Sequence, residues 1–143
     1  MTVRIRPARP ADRPALTRIQ AAELTEFSRD LLSAALEGPL LALVAVADTG
    51  PVGYLLAVED GERAYVPELA VAADRQGQGV GSELLAAGCA RFRKRDIVSA
   101  RVTARADDER AREFYEKREF DPVERVPEHY EDGTNGIVYE RDL

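Results

Sequence analysis

The sequence predicts a mixed α/β sheet flanked by helices, built as one domain over residues 1–143. Two observations carry that expectation. Apolar runs and helical stripes follow one another in the order β-α-α-β-β-β-α-β-α-β-β. The early strands are joined by tight turns, as in an antiparallel meander, whereas the later ones alternate with helices, as in local parallel pairing. A length of 143 residues also suits a single hydrophobic core. No internal repeat or long linker interrupts it.

Each element has a local reason. "TVRIRPA" alternates and reads as the first strand. Asp12 can cap the helix that follows, whose apolar face is Ala15, Leu16, Ile19 and Ala22. Ser28 caps a second helix, with Leu31, Leu32, Ala35 and Leu36 on one side, and Gly38 closes it. "PLLALVAVAD" and "VGYLLAVED" are apolar strands joined through Asp48, Thr49, Gly50 and Pro51. Asp60-Gly61 signals a hairpin turn into a fourth strand, "RAYVPELAVA". A helix then carries Val80, Leu84, Leu85, Gly88 and Phe92 along one stripe, and the strand "SARVTARA" follows. The helix "DERAREFYEKRE" presents Ala111, Phe114, Tyr115 and Arg118, and two strands, near "FDPVERV" and "NGIVYERDL", end the chain.

Composition narrows the function classes. Hydrophobic residues make up 45% and charged ones 32%, as in a globular chain. No segment approaches the apolar length of a bilayer span, and "MTVRIRPARPADRP" lacks an apolar signal core, so no membrane association is expected. The lone cysteine, Cys89, cannot close an internal disulfide, which fits a reducing, cytoplasmic location. A net charge of −6 and a pI near 4.9 argue against nucleic-acid binding, which needs a basic surface. That balance suits a cationic or amine-bearing partner as well as a plain solvated surface. No metal site is expected, and the sequence leaves open a monomer or a homodimer.

The most informative stretch is "ELAVAADRQGQGVGSELLAAG", residues 68–88. Gly77, Gly79 and Gly81 lie between an apolar strand and a helix start, where glycine is entropically costly. A Walker loop is excluded because Gly81 is followed by Ser82 with no lysine. The dinucleotide fingerprint fails because position 82 is serine, not glycine. What both motifs share remains. The first amides of a helix lack partners, the helix dipole adds positive potential, and bare glycines let a phosphate or pyrophosphate touch backbone.

This stretch resembles the acyl-coenzyme A signature of the GNAT acetyltransferase superfamily, in which a strand ending in Leu-x-Val precedes Arg/Gln-x-x-Gly-x-Gly/Ala. The matching residues are Leu69, Val71, Gln76, Gly79 and Gly81. "ERAREFYEKREF" is similar to the family's A-x-x-[FL]-Y-E-K-x-G-F at Ala111, Phe114, Tyr115, Glu116, Lys117 and Phe120. The order of elements agrees with the GNAT fold along nearly the whole chain.

The resemblance implies acetyl-coenzyme A (acetyl-CoA) as co-substrate and a primary amine as acceptor. It assigns the pyrophosphate to Gln76, Gly77, Gln78, Gly79, Val80, Gly81 and Ser82, and the pantetheine arm and acetyl carbonyl to Leu69 and Val71. It implies that the fourth strand parts from the fifth to admit that arm. Pro67, which donates no ladder hydrogen bond, suits such a departure. Tyr115 matches the tyrosine that protonates the departing thiolate, and Asp108 stands on the coenzyme side, where many relatives carry asparagine. Glu68 is the first candidate general base and His129, the only histidine, the second; a water chain is the third.

The C-terminal "EHYEDGTNGIVYERDL" resembles the ends of protein N-terminal acetyltransferases, including the ribosomal-protein alanine class, through Tyr130, Asp132 and Gly133. That likeness assigns Tyr130 to a peptide slot and makes a protein or peptide α-amine the first acceptor. A small amine such as a polyamine or antibiotic is the second, and a non-catalytic acyl-CoA-binding module is the rival from another class. Departures are Thr103, where alanine-class enzymes place a glutamate base, Thr134-Asn135-Gly136, and Glu119 in place of a glycine. Glu131 and Asp132, two loop carboxylates near Tyr130, either favour a cationic acceptor or are solvated loop residues, and the second reading is preferred.

Overall fold

The computed structural model describes residues 2–143. In chain order the elements are β1 (Arg4–Pro7), α1 (Arg13–Glu23), α2 (Arg29–Glu37), β2 (Leu41–Ala47), β3 (Gly50–Asp60), β4 (Arg63–Val71), α3 (Val80–Lys94), β5 (Ser99–Arg105), α4 (Glu109–Glu116), β6 (Asp121–Val126) and β7 (Gly136–Asp142). Single 3-10 turns at Pro10–Asp12 and Ala73–Arg75 lead into α1 and the glycine loop. The strands form one sheet in the order β1-β2-β3-β4-β5-β7-β6. β1 to β4 are the expected meander, and β4 pairs with β5 in parallel across α3. The second strand-helix-strand unit gives no parallel pair, because β7 inserts between β5 and β6, antiparallel to both.

Both faces of the sheet are covered, which is why β2 and β3 read as unbroken apolar runs. Leu43, Ala45, Leu55 and Ala57 join Leu84, Leu85 and Phe92 of α3 in one core. Ala42, Val44, Tyr54 and Leu56 join Leu16 and Ile19 of α1 and Leu32 and Leu36 of α2 in another. Each fully buried Leu or Phe contributes about 1.5–3 kcal/mol, so these two layers dominate the stabilising side. No helix among the described residues is long and apolar enough to cross a membrane.

A β-bulge in β4 positions everything that follows. Leu56 pairs with Glu68 and Val58 with Tyr65, so Ala57 faces two residues, Val66 and Pro67. The extra residue reverses the faces of the strand. Ala64 and Val66, before it, pack on the α3 side; Ala70, after it, packs on the α1–α2 side, while Leu69 and Val71 turn toward α3. Pairing with β5 also stops here, at Val66 and Val102. From Pro67 onward the two strands no longer bond.

Three local expectations are corrected. Asp12 makes no side-chain cap; its carboxylate accepts two hydrogen bonds from Arg6, at 2.8 and 2.9 Å, and one from the Arg9 amide at 2.7 Å. The bidentate Arg6 guanidinium and the Arg9 amide occupy both carboxylate oxygens and turn them away from the first amides of α1. The buried face of α1 runs through Leu16, Ile19 and Gln20, with Ala22 exposed. The last helix ends at Glu116 instead of reaching Glu119, whose φ of +69° places it in the left-handed region. Ser28 does cap α2, accepting from the Leu31 amide at 3.1 Å.

Candidate active site

Beyond the bulge, β4 has one free edge. Ala72 donates its amide to Val52 of β3, and strand groups alternate sides with a period of two. The amides and carbonyls of Leu69 and Val71 therefore point away from β3, into the gap left by β5. One of them is already partnered from off the sheet: the Gln76 side chain donates to the Val71 carbonyl at 2.9 Å and to Glu23 Oε1 at 3.1 Å. Gln76 thus folds the glycine loop back over the end of β4.

The loop has the backbone geometry its glycines permit. Gly77 and Gly79 adopt φ of +77° and +87°, and Gly79 occupies the N-cap position of α3. The amides of Val80, Gly81 and Ser82 begin a helix of 15 residues and have no intrahelical acceptor. Gly81 differs: its φ is not positive, and a Cβ there would sit in ordinary contact, 3.4 Å from the Phe114 ring of α4, so that only a larger side chain would press on that ring. Arg118 rests 3.9 Å over that ring and donates to Ser82 Oγ at 3.1 Å, placing a cation beside the first turn of α3. Gln78 donates to the Asp74 carbonyl at 3.2 Å and braces the loop from within. Bare amides, a helix N-terminus and an adjacent guanidinium can hold a pyrophosphate.

The strand gap opens into a cleft of about 790 Å³. Val66, Pro67, Glu68 and Leu69 form its floor, Thr103 to Arg105 of β5 one wall, and Asp108, Ala111 and Tyr115 another. The α1–α2 loop and the β6–β7 loop close its mouth with Glu26, Tyr130, Glu131 and Asp132. Tyr115 is fixed by edge-on contacts with Phe114 and Phe120, at centroid distances of 5.3 and 5.8 Å. Burial pushes its phenol well above the ordinary range, assisted by the charges of Tyr130 and Asp108, with no hydrogen-bond partner among the described residues. Asp108 faces the same cleft while its Oδ1 caps α4 through the Ala111 amide at 3.0 Å.

Glu68 is buried rather than solvated, at 5% exposure. Its Oε1 accepts from Tyr54 Oη at 2.8 Å and Gln20 Nε2 at 2.9 Å, and its Oε2 accepts from the Ser28 amide at 3.1 Å. The carboxylate therefore ties the α1–α2 loop to the floor of the cleft. His129 is exposed and lies outside the cleft lining, packed on Gly136 and edge-on to Tyr130 at 4.8 Å. The structure thus gathers Glu68, Leu69, Asp108, Tyr115 and Tyr130 around one space, sets the glycine loop at the end of its strand, and leaves His129 off its wall.

Four residues escaped the sequence reading. Arg105 lies 5.0 Å from the Tyr130 ring centroid and bonds Asp107, Asp132 and Thr134, organising the β6–β7 loop. Glu26 accepts from the Glu131 amide at 2.9 Å and joins the two loops across the mouth. Gln20 and Tyr54 hold Glu68, and the signal for Gln20 was a polar residue one turn beyond Leu16 on an apolar face. No group of three or more His, Cys, Asp or Glu side chains is arranged to hold a metal among the described residues.

The chain is similar to several solved structures. The Ard1 protein of Thermoplasma volcanium is 27% identical, with a TM-score of 0.92 over 100% of this chain and 99% of that one. The ribosomal-protein-S18-alanine N-acetyltransferase of Escherichia coli is 20% identical, with a TM-score of 0.90 over 99% and 94%. Arabidopsis thaliana Naa50, solved with the bisubstrate analogue CoA-Ac-MVNAL, is 19% identical, with a TM-score of 0.87 over 100% of each chain. A sequence search of curated proteins finds no match. The model of the acetyltransferase (GNAT) domain matches residues 13–143, and so, with its splayed strand and bare helix start, the chain belongs to the GNAT acetyltransferases, which use acetyl-CoA as acyl donor.

Proposed function

We propose that this protein transfers the acetyl group of acetyl-CoA to the α-amine of a peptide N-terminus. The observation that carries this reading is the continuity of the free β4 edge, which runs from the glycine loop at Val71 to the cleft at Leu69, where Tyr115 and Tyr130 face the same space. An extended donor can span that edge while an acceptor enters between the α1–α2 and β6–β7 loops. The structural likeness to enzymes solved with peptide-bearing ligands supports the choice of acceptor.

In this reading the amides of Gln76 to Ser82 hold the pyrophosphate, and Leu69 and Val71 pair with the pantetheine arm. Asp108 borders the coenzyme side and Tyr130 lines the peptide slot. A neutral amine attacks the thioester carbonyl; a C–N bond forms, the C–S bond breaks, and the thiolate takes the Tyr115 phenol proton. Burial keeps that phenol protonated at working pH, and the same dry surroundings raise the proton affinity of the thiolate, so transfer is not opposed by the shift. The excess proton of the new amide nitrogen leaves through water in the cleft, and a proton returned through that water restores the Tyr115 phenol. Glu68, with three donors on its carboxylate, acts as a positioning residue rather than as the base. The lone, buried Cys89 is consistent with a cytoplasmic enzyme.

The test is release of free thiol from acetyl-CoA in the presence of short peptides with varied first residues, with N-terminally blocked copies as controls. Turnover that requires a free α-amine is expected. Turnover with free small amines alone would overturn the acceptor assignment. Tight CoA binding without turnover on any amine would favour a non-catalytic acyl-CoA-binding module.

A further inference from the structure

Charge is distributed one-sidedly around the cleft. Its lining holds eight carboxylates and a single cation, Arg105. Six of those carboxylates accept hydrogen bonds, and two of the six are ion-paired. Arg105 takes Asp107 and Asp132, Asp108 caps α4, and Glu68 is enclosed by its three donors. Glu23 accepts from Gln76 and Glu26 from the Glu131 amide, yet neither these two nor Glu109 and Glu131 make an ion pair among the described residues. Two of these, Glu26 and Glu131, come from opposite walls of the mouth and touch through the Glu131 amide. Both side chains are exposed, so their charge faces whatever enters. The sequence offered Glu131 and Asp132 together, as favouring a cationic acceptor or, by preference, as solvated; the structure separates them, giving Asp132 to Arg105 and leaving Glu131 without an ion pair among the described residues.

The imbalance reaches the polar groups inside. Burial pushes the Tyr130 phenol up; Arg105 opposes this, and the charges of Glu26, Asp108 and Asp107 reinforce it. Such a wall repels an acceptor with acidic residues behind its amine and attracts one with basic residues there. The reacting amine must be neutral when it attacks, so it cannot satisfy this field itself. A second positive charge can.

We infer that the cleft selects acceptors that carry a cation beyond the reacting amine, with Glu26 and Glu131 as the specificity-determining carboxylates. The occupant is then a peptide with lysine or arginine at its second or third residue. This inference rests on the α-amine reading above.

The experiment compares pentapeptides that differ only in carrying lysine, alanine or glutamate at those two positions, in the thiol-release assay. The lysine peptide should show a KM about tenfold below that of the glutamate peptide, and added salt should narrow the gap. Glu26→Gln keeps an oxygen for the Glu131 amide while removing the charge, and Glu131→Gln removes the second. Either substitution should shrink the KM ratio, and the pair should bring it near one, with CoA affinity by calorimetry confirming the fold. Equal KM values across the three peptides would overturn the inference, as would a lysine preference that survives both substitutions. If no peptide is acetylated, the α-amine reading fails separately, and spermidine is compared with hexylamine. A spermidine preference abolished by the two substitutions upholds the charge selection; equal use of both amines overturns it.

Discussion

Tyr54 on β3 donates its hydroxyl proton to Glu68 on β4 at 2.8 Å, and both residues are buried. With Gln20 and the Ser28 amide, they lock the acceptor-side loop to the strand whose free edge faces the donor. Glu68→Gln leaves the Ser28 amide facing an NH2 group or breaks one of the Oε1 bonds. A stability loss of about 1–3 kcal/mol is expected from a buried donor left unpaired. The pH–rate profile should keep its shape, because the carboxylate acts through the loop. Denaturant unfolding and initial rates across pH check both parts; a fully stable variant that loses one limb of the profile would restore Glu68 as the base.

Tyr115→Phe keeps the ring contacts with Phe114 and Phe120 and removes only the hydroxyl that faces the cleft. Loss of a general acid should lower kcat by about 10²–10⁴-fold with little change in CoA affinity. Because the phenol is shifted upward, the wild-type enzyme should keep the acid form through neutral pH and beyond. Wild-type kcat in this variant would remove the role.

The two glycines of the motif should fail differently. At Gly79, with φ of +87° and open space around it, valine is strained by about 1–2 kcal/mol and presents methyl groups at the bare amides. CoA affinity should drop by about tenfold or more by calorimetry. At Gly81 the added side chain meets Phe114, whose ring lies 5.3 Å from that of Tyr115. Gly81→Val should therefore lower turnover and stability together. Identical affinity losses in both variants, with stability unchanged, would contradict this division.

Much of the fold was legible because it follows from local patterns. The apolar runs of β2 and β3, the Ser28 cap and the stripe of α3 each state their own structure. The glycine segment was legible for the same reason, since positive φ and bare amides are properties of the chain itself. The bulge was only half legible. Pro67 marked a departure from regular pairing, but the reversal that buries Glu68 and aims Leu69 at the gap depends on the register with β3. Arg105 and Glu26 were invisible because their partners, Asp132 and Glu131, lie in a loop distant in sequence. Side-chain pairs across such separations leave no period to read.

Glu119 holds φ of +69° where a left-handed residue must end α4 and deliver Phe120 to the core, and Phe120 is 1% exposed. Glycine relieves that strain, while its unfolded chain loses more freedom. Glu119→Gly also removes the ion pair with Arg141 at 2.9 Å, which is exposed on the Glu119 side and contributes little. A net gain of about 0.5–1 kcal/mol is expected in urea unfolding. A loss of stability would mean that the Arg141 contact outweighs the backbone.

Acid should weaken the fold through Asp12. The Arg6 hydrogen bonds hold its carboxyl below the ordinary carboxylate range, opposed by burial and aided by the Arg9 amide. A carboxyl depressed in the folded state adds stability that is complete above its unfolded pKa, about 3.9, and is lost as pH falls through the folded value. Asp132 follows the same sign, held at about 2 by Arg105, and its loss unclamps the exposed β6–β7 loop. Unfolding free energy should thus decline below about pH 4, with the decline extending past the ordinary carboxylate range. Asp12→Asn should cost about 1.5–3 kcal/mol at neutral pH, the scale of hydrogen bonds to a charged group. It should also flatten the acid decline, because one of the titrating carboxylates is gone. Urea unfolding at neutral pH and at pH 3 measures both quantities, and equal acid slopes in the two proteins would show that Asp12 is not what acid attacks.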